Sequence, residues 1–305
     1  MLIKYGVTDN NIDVTDICSK KLKYDNYIII PAGDNERAKI FKDPVYGKIK
    51  SIFIYDNDNN VTEYDLSHRI YIDITSNKVY SDNVPHDVRV VNPDERIRVL
   101  HDRLKLDYGS FNDEFPEQKM ALRYITPESK VLEIGGNIGR NSLIIGSILA
   151  PKSENLVVCE SHPIIARQLE SNRNLNNMQF KIENSAISKR MLIQRGWDTI
   201  QSDEVLEGYQ PINIIPYQDL KAKYNIDFNT LVLDCEGAFY FILQDMPEIL
   251  DNIQLIIMEN DYRDINHKNY IDDVLRSKGF QVDYQEAGGW EPCYNRFFEV
   301  WVNKS

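Results

Sequence analysis

Short apolar runs of two different kinds divide the chain. The first part contains runs rich in β-branched and aromatic residues, each bounded by turn residues, at 2–5, 27–30, 49–55 and 69–74. These residue types favour strands, and no comparable helical period occurs between them. The Asp- and Asn-rich stretch 56–60 is typical of a hairpin turn. The pattern predicts a small β-rich accessory domain over residues 1–95.

The second part alternates buried strands with helices. Four short apolar runs, each with an acidic residue at or near its end, occupy 131–134, 156–159, 231–233 and 255–258, and amphipathic or proline-initiated segments separate them. This alternation is typical of a parallel sheet covered on both faces. Two last runs, at 280–284 and 297–302, indicate a closing antiparallel pair. We predict an α/β domain over residues 96–305, with the boundary in the proline-containing segment 81–96.

A glycine-rich turn follows the first of these strands, with the spacing Glu133-x-Gly135-Gly136-x-x-Gly139. Glycine lets the backbone approach a ligand closely, because it has no Cβ and tolerates positive φ. The dinucleotide fingerprint would need glycines where Asn137 and Arg140 stand, which excludes the classical NAD site. The spacing instead resembles motif I of Rossmann-like methyltransferases that use S-adenosylmethionine. A glycine-rich turn without a ligand is the alternative.

The next strand ends at Glu160, just before a helix. A carboxylate at this place can accept both ribose hydroxyls of a nucleoside lying across the strand ends, although a solvated strand end is the common role of a lone glutamate. Small polar residues after the third strand are candidates for the adenine edge. The predicted cofactor-binding residues are Glu133, Gly135, Gly136, Asn137, Gly139, Asn141, Glu160, Ser161, Asn184, Ser185 and Asp234.

Two further motifs occur at the fourth and fifth strands: Asp234-x-Glu236-Gly237-Ala238, and Glu259-Asn260-Asp261. With the glycine turn, they make residues 109–302 resemble the FkbM family of methyltransferases, including a strand-rich excursion at 188–224. The resemblance implies a Rossmann-like class I methyltransferase fold with a mainly parallel seven-stranded sheet. It also implies methyl transfer from S-adenosylmethionine to a hydroxyl of a saccharide or related small metabolite. Phe239 replaces an acidic residue common in the family, so no carboxylate role carries over there.

Several groups are candidates for catalysis. A hydroxyl acceptor needs its proton removed, and Asp234, Glu236, Glu259 and His267 are the predicted catalytic residues, with capping of the following helices as the alternative role of the carboxylates. Asp234, Glu259 and Asn260 are the predicted ligands of an optional Mg²⁺, since oxygen ligands suit this ion. For Trp197, Tyr240 and Trp290 we weigh stacking on an acceptor against core packing, and core packing is favoured.

Composition narrows the partners. The chain has 47 acidic and 35 basic residues and a net charge of −12, which argues against a general nucleic-acid binder. Four isolated cysteines indicate neither a zinc site nor a disulfide framework. Without an apolar leader or span, we expect a cytoplasmic protein that acts on a small-molecule or glycan acceptor, without membrane or nucleic-acid partners.

The N-terminal domain is a candidate for glycan binding, partner binding or self-association. The competing hypothesis is a non-catalytic binding protein on a degenerate methyltransferase fold.

Overall fold

The computed structural model describes residues 1–24, 26–56, 58–81 and 93–304. The chain divides into two units, Met1–Val99 and Leu100–Ser305. Most of the segment in which we predicted the boundary lies outside the described residues, so that boundary stays a prediction.

The first unit contains two four-stranded antiparallel sheets, in the orders β2-β1-β5-β6 and β3-β4-β7-β8. Apolar residues of both sheets, among them Ile3, Ile28, Ile54 and Ile72, share one buried cluster. The four runs predicted from sequence form β1, β4, β5 and β7. The strands are β1 (Leu2–Val7), β2 (Asn10–Asp13), β3 (Lys23–Tyr24), β4 (Tyr27–Ile30), β5 (Ser51–Tyr55), β6 (Val61–Tyr64), β7 (Ile70–Asp73) and β8 (Val79–Tyr80).

Two helices of the first unit were not predicted: α1 (Thr15–Lys21) and α2 (Asp34–Phe41). The helical content of this β-rich unit was therefore not visible in the sequence. The reason is that α1 buries only Cys18, and α2 buries only Arg37 and Phe41, so neither has the apolar stripe that marks a helix in sequence. Arg37 is fully buried because its guanidinium donates hydrogen bonds to the carbonyl oxygens of Pro31, Asp65 and His68.

The second unit begins its α/β alternation after α3 (Pro93–Arg103), a helix that crosses the division between the units. The elements that follow are α4 (Phe115–Tyr124), β9 (Val131–Ile134), α5 (Arg140–Leu149), β10 (Leu156–Cys159), α6 (Pro163–Leu175) and β11 (Lys181–Glu183). Every residue of β9 and β10 is buried, as expected for strands covered on both faces.

A strand-rich excursion comes next, as predicted. It contains β12 (Ala186–Ile187), β13 (Leu192–Arg195), β14 (Asp198–Gln201), β15 (Gln210–Pro211), β16 (Ile214–Ile215) and α7 (Tyr217–Tyr224). Strands β14, β13 and β15 form a small antiparallel sheet, and β12 pairs with β16. The amide of Gln194 on β13 donates to Ser161 Oγ at 3.1 Å, which ties this small sheet to the end of β10.

The main sheet is completed by β17 (Thr230–Leu233), β18 (Leu255–Glu259), β19 (Phe280–Glu286) and β20 (Phe298–Asn303), with α8 (Phe239–Asp245) and α9 (Ile265–Ser277) between them. Its order is β11-β10-β9-β17-β18-β20-β19, and β20 runs antiparallel to both neighbours. This is the predicted Rossmann-like class I methyltransferase fold, with the predicted closing antiparallel pair. The chain order reverses between β9 and β17, the position at which such sheets bind ligands.

No helix among the described residues is long and apolar enough to cross a bilayer. The expected cytoplasmic location stays a prediction.

Candidate active site

A cleft of about 850 Å³ lies at the carboxyl ends of the parallel strands. Residues of the loops after β9, β10, β17 and β18 and of the β13–β14 hairpin line it. Its volume falls in the range of small-molecule sites. Of the residues predicted from sequence, those that line it are Gly135, Asn137, Glu160, Ser161, Ser185, Asp234, Glu236 and His267.

A second, much smaller cavity lies behind this cleft. Gly135 and Asp234 line both spaces, so they form the wall between them. Glu133, Gly136, Asn141 and Glu259 line the inner cavity, together with Glu114 and Glu117. Gly139, Asn184 and Asn260 line neither.

The glycine turn is shaped by close packing. Gly135 and Gly139 both have a φ of +91°. A Cβ on Gly136 would lie 2.1 Å from Val158 Cγ1, and one on Gly139 would lie 2.3 Å from Leu169 Cδ1. Packing against β10 and α6 therefore explains two of the glycines without any ligand. Of the three, only Gly135 borders the cleft.

Glu160 is 5% exposed and joins the two loops that meet at the cleft. Its Oε2 accepts from the backbone N–H of Asn137 at 2.9 Å, and its Oε1 accepts from the N–H of His162 at 2.8 Å. Burial raises the pKa of this carboxyl, while the backbone hydrogen bonds act in the opposite direction. Each oxygen has a further lone pair, so the carboxylate is held in place and can still accept from a ligand.

Asn137 connects the glycine turn to the N-terminus of α4. Its side-chain amide donates to Glu114 Oε1 at 3.0 Å, and the same oxygen accepts from Arg140 Nη1 at 2.5 Å. Burial raises the pKa of Glu114, and the charge of Arg140 opposes that shift. Sequence reasoning missed Glu114 and treated Arg140 only as a departure from the dinucleotide fingerprint. An acidic residue 23 positions before Asn137 carries no local signal of the contact.

Three predicted cofactor residues use their side chains inside the protein. Glu133 is 3% exposed and accepts from Asn141 Nδ2 at 3.2 Å and Ser142 Oγ at 2.5 Å, and burial raises its pKa to about 8. Asn184 donates to the carbonyl oxygens of Glu160 and Ser161 at 2.7 and 3.1 Å. These contacts position β9, α5 and the loop after β10, and the three side chains do not line the cleft.

A carboxylate cluster forms where β17 and β18 end. Asp234, Glu259 and Asp261 each place an oxygen within 4.8 Å of the others. The carboxyls of Glu117 and Asp261 lie next to Glu259 and interact with it electrostatically. Burial raises the pKa of Asp234, Glu259 and Asp261, and the neighbouring carboxyls raise it further. Within the described chain, none of the three forms an ion pair with lysine or arginine.

Asp261 belongs to this cluster and was not among the predicted ligands; Asn260 stays a predicted ligand, and its side-chain Oδ1 is buried without a hydrogen-bond partner among the described residues. Asn260 is fully buried, and its side-chain amide donates to the carbonyl oxygen of Arg296 at 2.6 Å. Asp261 is 7% exposed, and its Oδ1 has no hydrogen-bond partner among the described residues. Its position two residues after Glu259 was a usable signal, since alternate residues at a strand end share a face. Glu117, on the first turn of α4, was missed.

Glu236 and His267 border the cleft in different ways. Glu236 is exposed, has a φ of +51°, and forms no hydrogen bond within the described chain. Although the side chain is exposed, partial loss of hydration at the edge of the cleft raises its pKa, and the charge of Arg263 lowers it. The imidazole of His267 stacks on Tyr240, with ring centroids 3.7 Å apart and planes 9° apart. Trp197 and Trp290 are 57% and 51% exposed in the cleft, so the preference for core packing was wrong for both.

Known proteins resemble the chain only at the level of its fold. No family model and no curated protein matches the sequence. A ribosomal protein L11 methylase from Lactobacillus delbrueckii subsp. bulgaricus aligns with a TM-score of 0.41 and 13% identity over 66% of this chain and 82% of that one. An O-methyltransferase from Bacillus cereus has a TM-score of 0.39 and 13% identity, covering 73% and 94% of the two chains.

A third solved structure is an O-methyltransferase from Streptomyces achromogenes involved in tomaymycin synthesis. It aligns with a TM-score of 0.41 and 13% identity over 73% of this chain and 93% of that one. At such low similarity, the fold assignment rests on the strand order of the chain itself.

Proposed function

We propose that the protein is an S-adenosylmethionine-dependent O-methyltransferase that acts on a hydroxyl of a saccharide or related small metabolite, in keeping with its resemblance to the FkbM family. The observation that supports this most directly is the convergence of Gly135, Glu160 and Asp234 on one cleft at the point where the strand order reverses.

The cleft suits the chemistry of the cofactor. Glu160 is a buried acceptor whose position is held by two backbone N–H groups, as a partner for a pair of ribose hydroxyls should be. The carboxyls of Asp234 and Asp261 border the same space, and a sulfonium cation bound beside them would favour their ionised forms, which in turn attract it. Glu160 and Ser161 are the proposed ribose contacts, and Ser185 lies where the adenine edge would be held.

The bound cofactor supplies an electrophilic methyl group, and the chain has two remaining tasks. It must hold the acceptor oxygen in line with that methyl and accept the hydroxyl proton. Asp234 and Glu236 are the proposed bases, because both border the cleft and both have a raised pKa, which makes a carboxylate a stronger base. His267 is the alternative base.

A divalent cation is an optional part of the proposal. The carboxyl oxygens of Asp234, Glu259 and Asp261 are hard ligands that suit Mg²⁺, and the buried Asp261 Oδ1 has no hydrogen-bond partner among the residues that the structure describes. A cation at this place would relieve the mutual repulsion of the carboxylates and lower the pKa of a bound hydroxyl.

Binding of the cofactor is the first test. Calorimetry on the full chain with S-adenosylmethionine and S-adenosylhomocysteine should show one site. Absence of binding to either compound would contradict the enzyme hypothesis and favour a non-catalytic protein. A screen of sugars and sugar derivatives with methyl-labelled S-adenosylmethionine then tests the acceptor class. Transfer of label to a hydroxyl is the expected result, and transfer only to nitrogen or to nucleic acid would overturn it.

A further inference from the structure

Two of the three tryptophans in the chain are exposed in the same cleft. Trp301 is fully buried, whereas Trp197 and Trp290 expose 57% and 51% of their surface. Single exposed aromatic residues are normal, but two indoles that border one concave site form an exposed apolar surface, which is typical of a binding site. Phe241, 44% exposed, borders the same cleft.

The chain holds both indoles at defined positions. Trp197 occupies the two-residue tip of the β13–β14 hairpin with Gly196, and the base of that hairpin pairs Arg195 with Asp198. Trp290 follows Gly289, a position with a φ of +52° where any Cβ would lie 2.1 Å from the ring of Phe297. The indole of Trp290 packs edge-on against Phe297, with centroids 5.2 Å apart. One side of the Trp290 indole therefore contacts the protein, and about half of its surface remains exposed.

Several polar atoms of the cleft are hydrogen-bond acceptors that can bind a donor group of a ligand. Asp261 Oδ1 and Gln194 Oε1 are buried acceptors that have no partner in the described chain, and both residues line the cleft. Glu236 adds an exposed carboxylate. A hydroxyl can donate to these atoms, whereas a phosphate or carboxylate group offers only acceptors.

The charged side chains around the cleft also favour a neutral ligand over an anionic one. Among the described residues, seven carboxyl side chains border it, against the guanidinium groups of Arg190 and Arg263 and the imidazole of His267. Arg190 is already paired with both oxygens of Asp245, at 2.5 Å each. An anionic acceptor would therefore meet more negative than positive groups.

We propose that Trp197 and Trp290 form the platform that binds the acceptor, and that this acceptor is an uncharged hydroxylated ring such as a pyranose, without phosphate or carboxylate. The indoles stack on the apolar face of the ring, and the free acceptor atoms of the cleft take its hydroxyl protons. This assignment rests on the proposed methyltransferase function, because it names the second substrate of that reaction.

The test measures binding of defined probes to the full chain saturated with S-adenosylhomocysteine. Methyl β-D-glucopyranoside and methyl α-L-rhamnopyranoside represent neutral rings, and D-glucose 1-phosphate represents an anionic one. Ligand-observed NMR titration should show binding of a neutral glycoside at least about 10-fold tighter than binding of the phosphate. Added salt should narrow this difference, because it screens the carboxylates.

Substitution of each of the two tryptophans tests directly whether they bind the acceptor. Trp197→Ala and Trp290→Ala should each weaken binding of the glycoside about 2- to 10-fold, the size of one ring-stacking contact, and the phenylalanine variants should retain most of the affinity. Tyr108→Ala is the matched control, since Tyr108 is 44% exposed and lies outside the cleft.

The outcomes separate this inference from the proposed function. If S-adenosylhomocysteine binds but neither glycoside does, if the phosphate binds as well as the glycosides, or if both alanine variants keep wild-type affinity, the platform is wrong and the methyltransferase proposal stands. If S-adenosylhomocysteine itself does not bind in calorimetry, the proposed function is wrong.

Discussion

A Cβ atom on Gly135 would lie 1.6 Å from the carbonyl oxygen of Asp234. The glycine turn after β9 thus touches the backbone of the loop after β17, and the two loops border the same cleft. Any side chain at position 135 must push these loops apart. The contact links the predicted cofactor turn directly to the predicted catalytic carboxylate.

Gly135→Ala should destabilise the second unit strongly, by about 4 kcal/mol or more, because backbone strain at positive φ adds to a clash with backbone atoms. Gly196→Ala is the matched control: Gly196 also has positive φ, +59°, but a Cβ there would meet nothing within 4 Å. Its cost should be about 1–2 kcal/mol. Urea unfolding followed by tryptophan fluorescence measures both, and equal losses would contradict the packing argument.

Glu160→Gln should weaken binding of S-adenosylhomocysteine by about 10-fold or more, since charge-assisted hydrogen bonds contribute about 1.5–3 kcal/mol. Calorimetry at pH 7 gives the affinity, and Glu154→Gln, at an exposed position before β10, is the control. Unchanged affinity in Glu160→Gln would move the ribose site elsewhere.

Asp234→Asn and Glu236→Gln should lower turnover of an identified acceptor about 100-fold for whichever residue is the base, the size expected for loss of general-base catalysis. Affinity for S-adenosylhomocysteine, which carries no sulfonium charge, should change little. Steady-state kinetics with labelled S-adenosylmethionine gives the first quantity and calorimetry the second. Wild-type turnover in both variants would exclude these carboxylates, and His267→Ala would be measured next.

Mg²⁺ or Mn²⁺ should raise the melting temperature of the wild-type protein, because a ligand that binds only the folded state stabilises it. Asp261→Asn should abolish this increase, while Asp203→Asn, at an exposed site outside both cavities, should preserve it. The same shift in both variants would place any bound cation away from the Asp234, Glu259 and Asp261 cluster.

The pH dependence of the free energy of unfolding should reveal the ionisation of Glu133. Its pKa is about 8 in the folded protein, because the side chain is buried, and about 4.3 in an unfolded chain. Between these values the folded state binds more protons than the unfolded state, so the free energy of unfolding should fall as the pH rises.

Glu133→Gln cannot ionise and keeps partners for Asn141 and Ser142. Its free energy of unfolding should therefore decrease less than that of the wild type between pH 5 and about pH 8. Urea unfolding at several pH values gives both curves. Parallel curves would show that Glu133 does not titrate in this range.

Local pattern was enough to predict much of the fold. Runs of β-branched residues buried on both faces have few alternatives to a central strand, and β9 and β10 lie at the predicted residues. The glycine spacing and the acidic strand ends likewise indicated which loops meet at the cleft. Short polar helices such as α2 escaped prediction, because their stability comes from contacts like those of Arg37 with distant carbonyl groups.

The arrangement of the site depended on tertiary structure. Sequence spacing shows that Asp234, Glu259 and Asp261 follow neighbouring strands, but only the pairing of β17 with β18 brings their oxygens within 4.8 Å. Glu117 and Glu114 join the site from α4, more than 100 residues before Asp234 along the chain, by packing that no local period records. The exposure of Trp197 and Trp290 also depends on the fold, because the sequence does not show whether other residues cover an aromatic side chain.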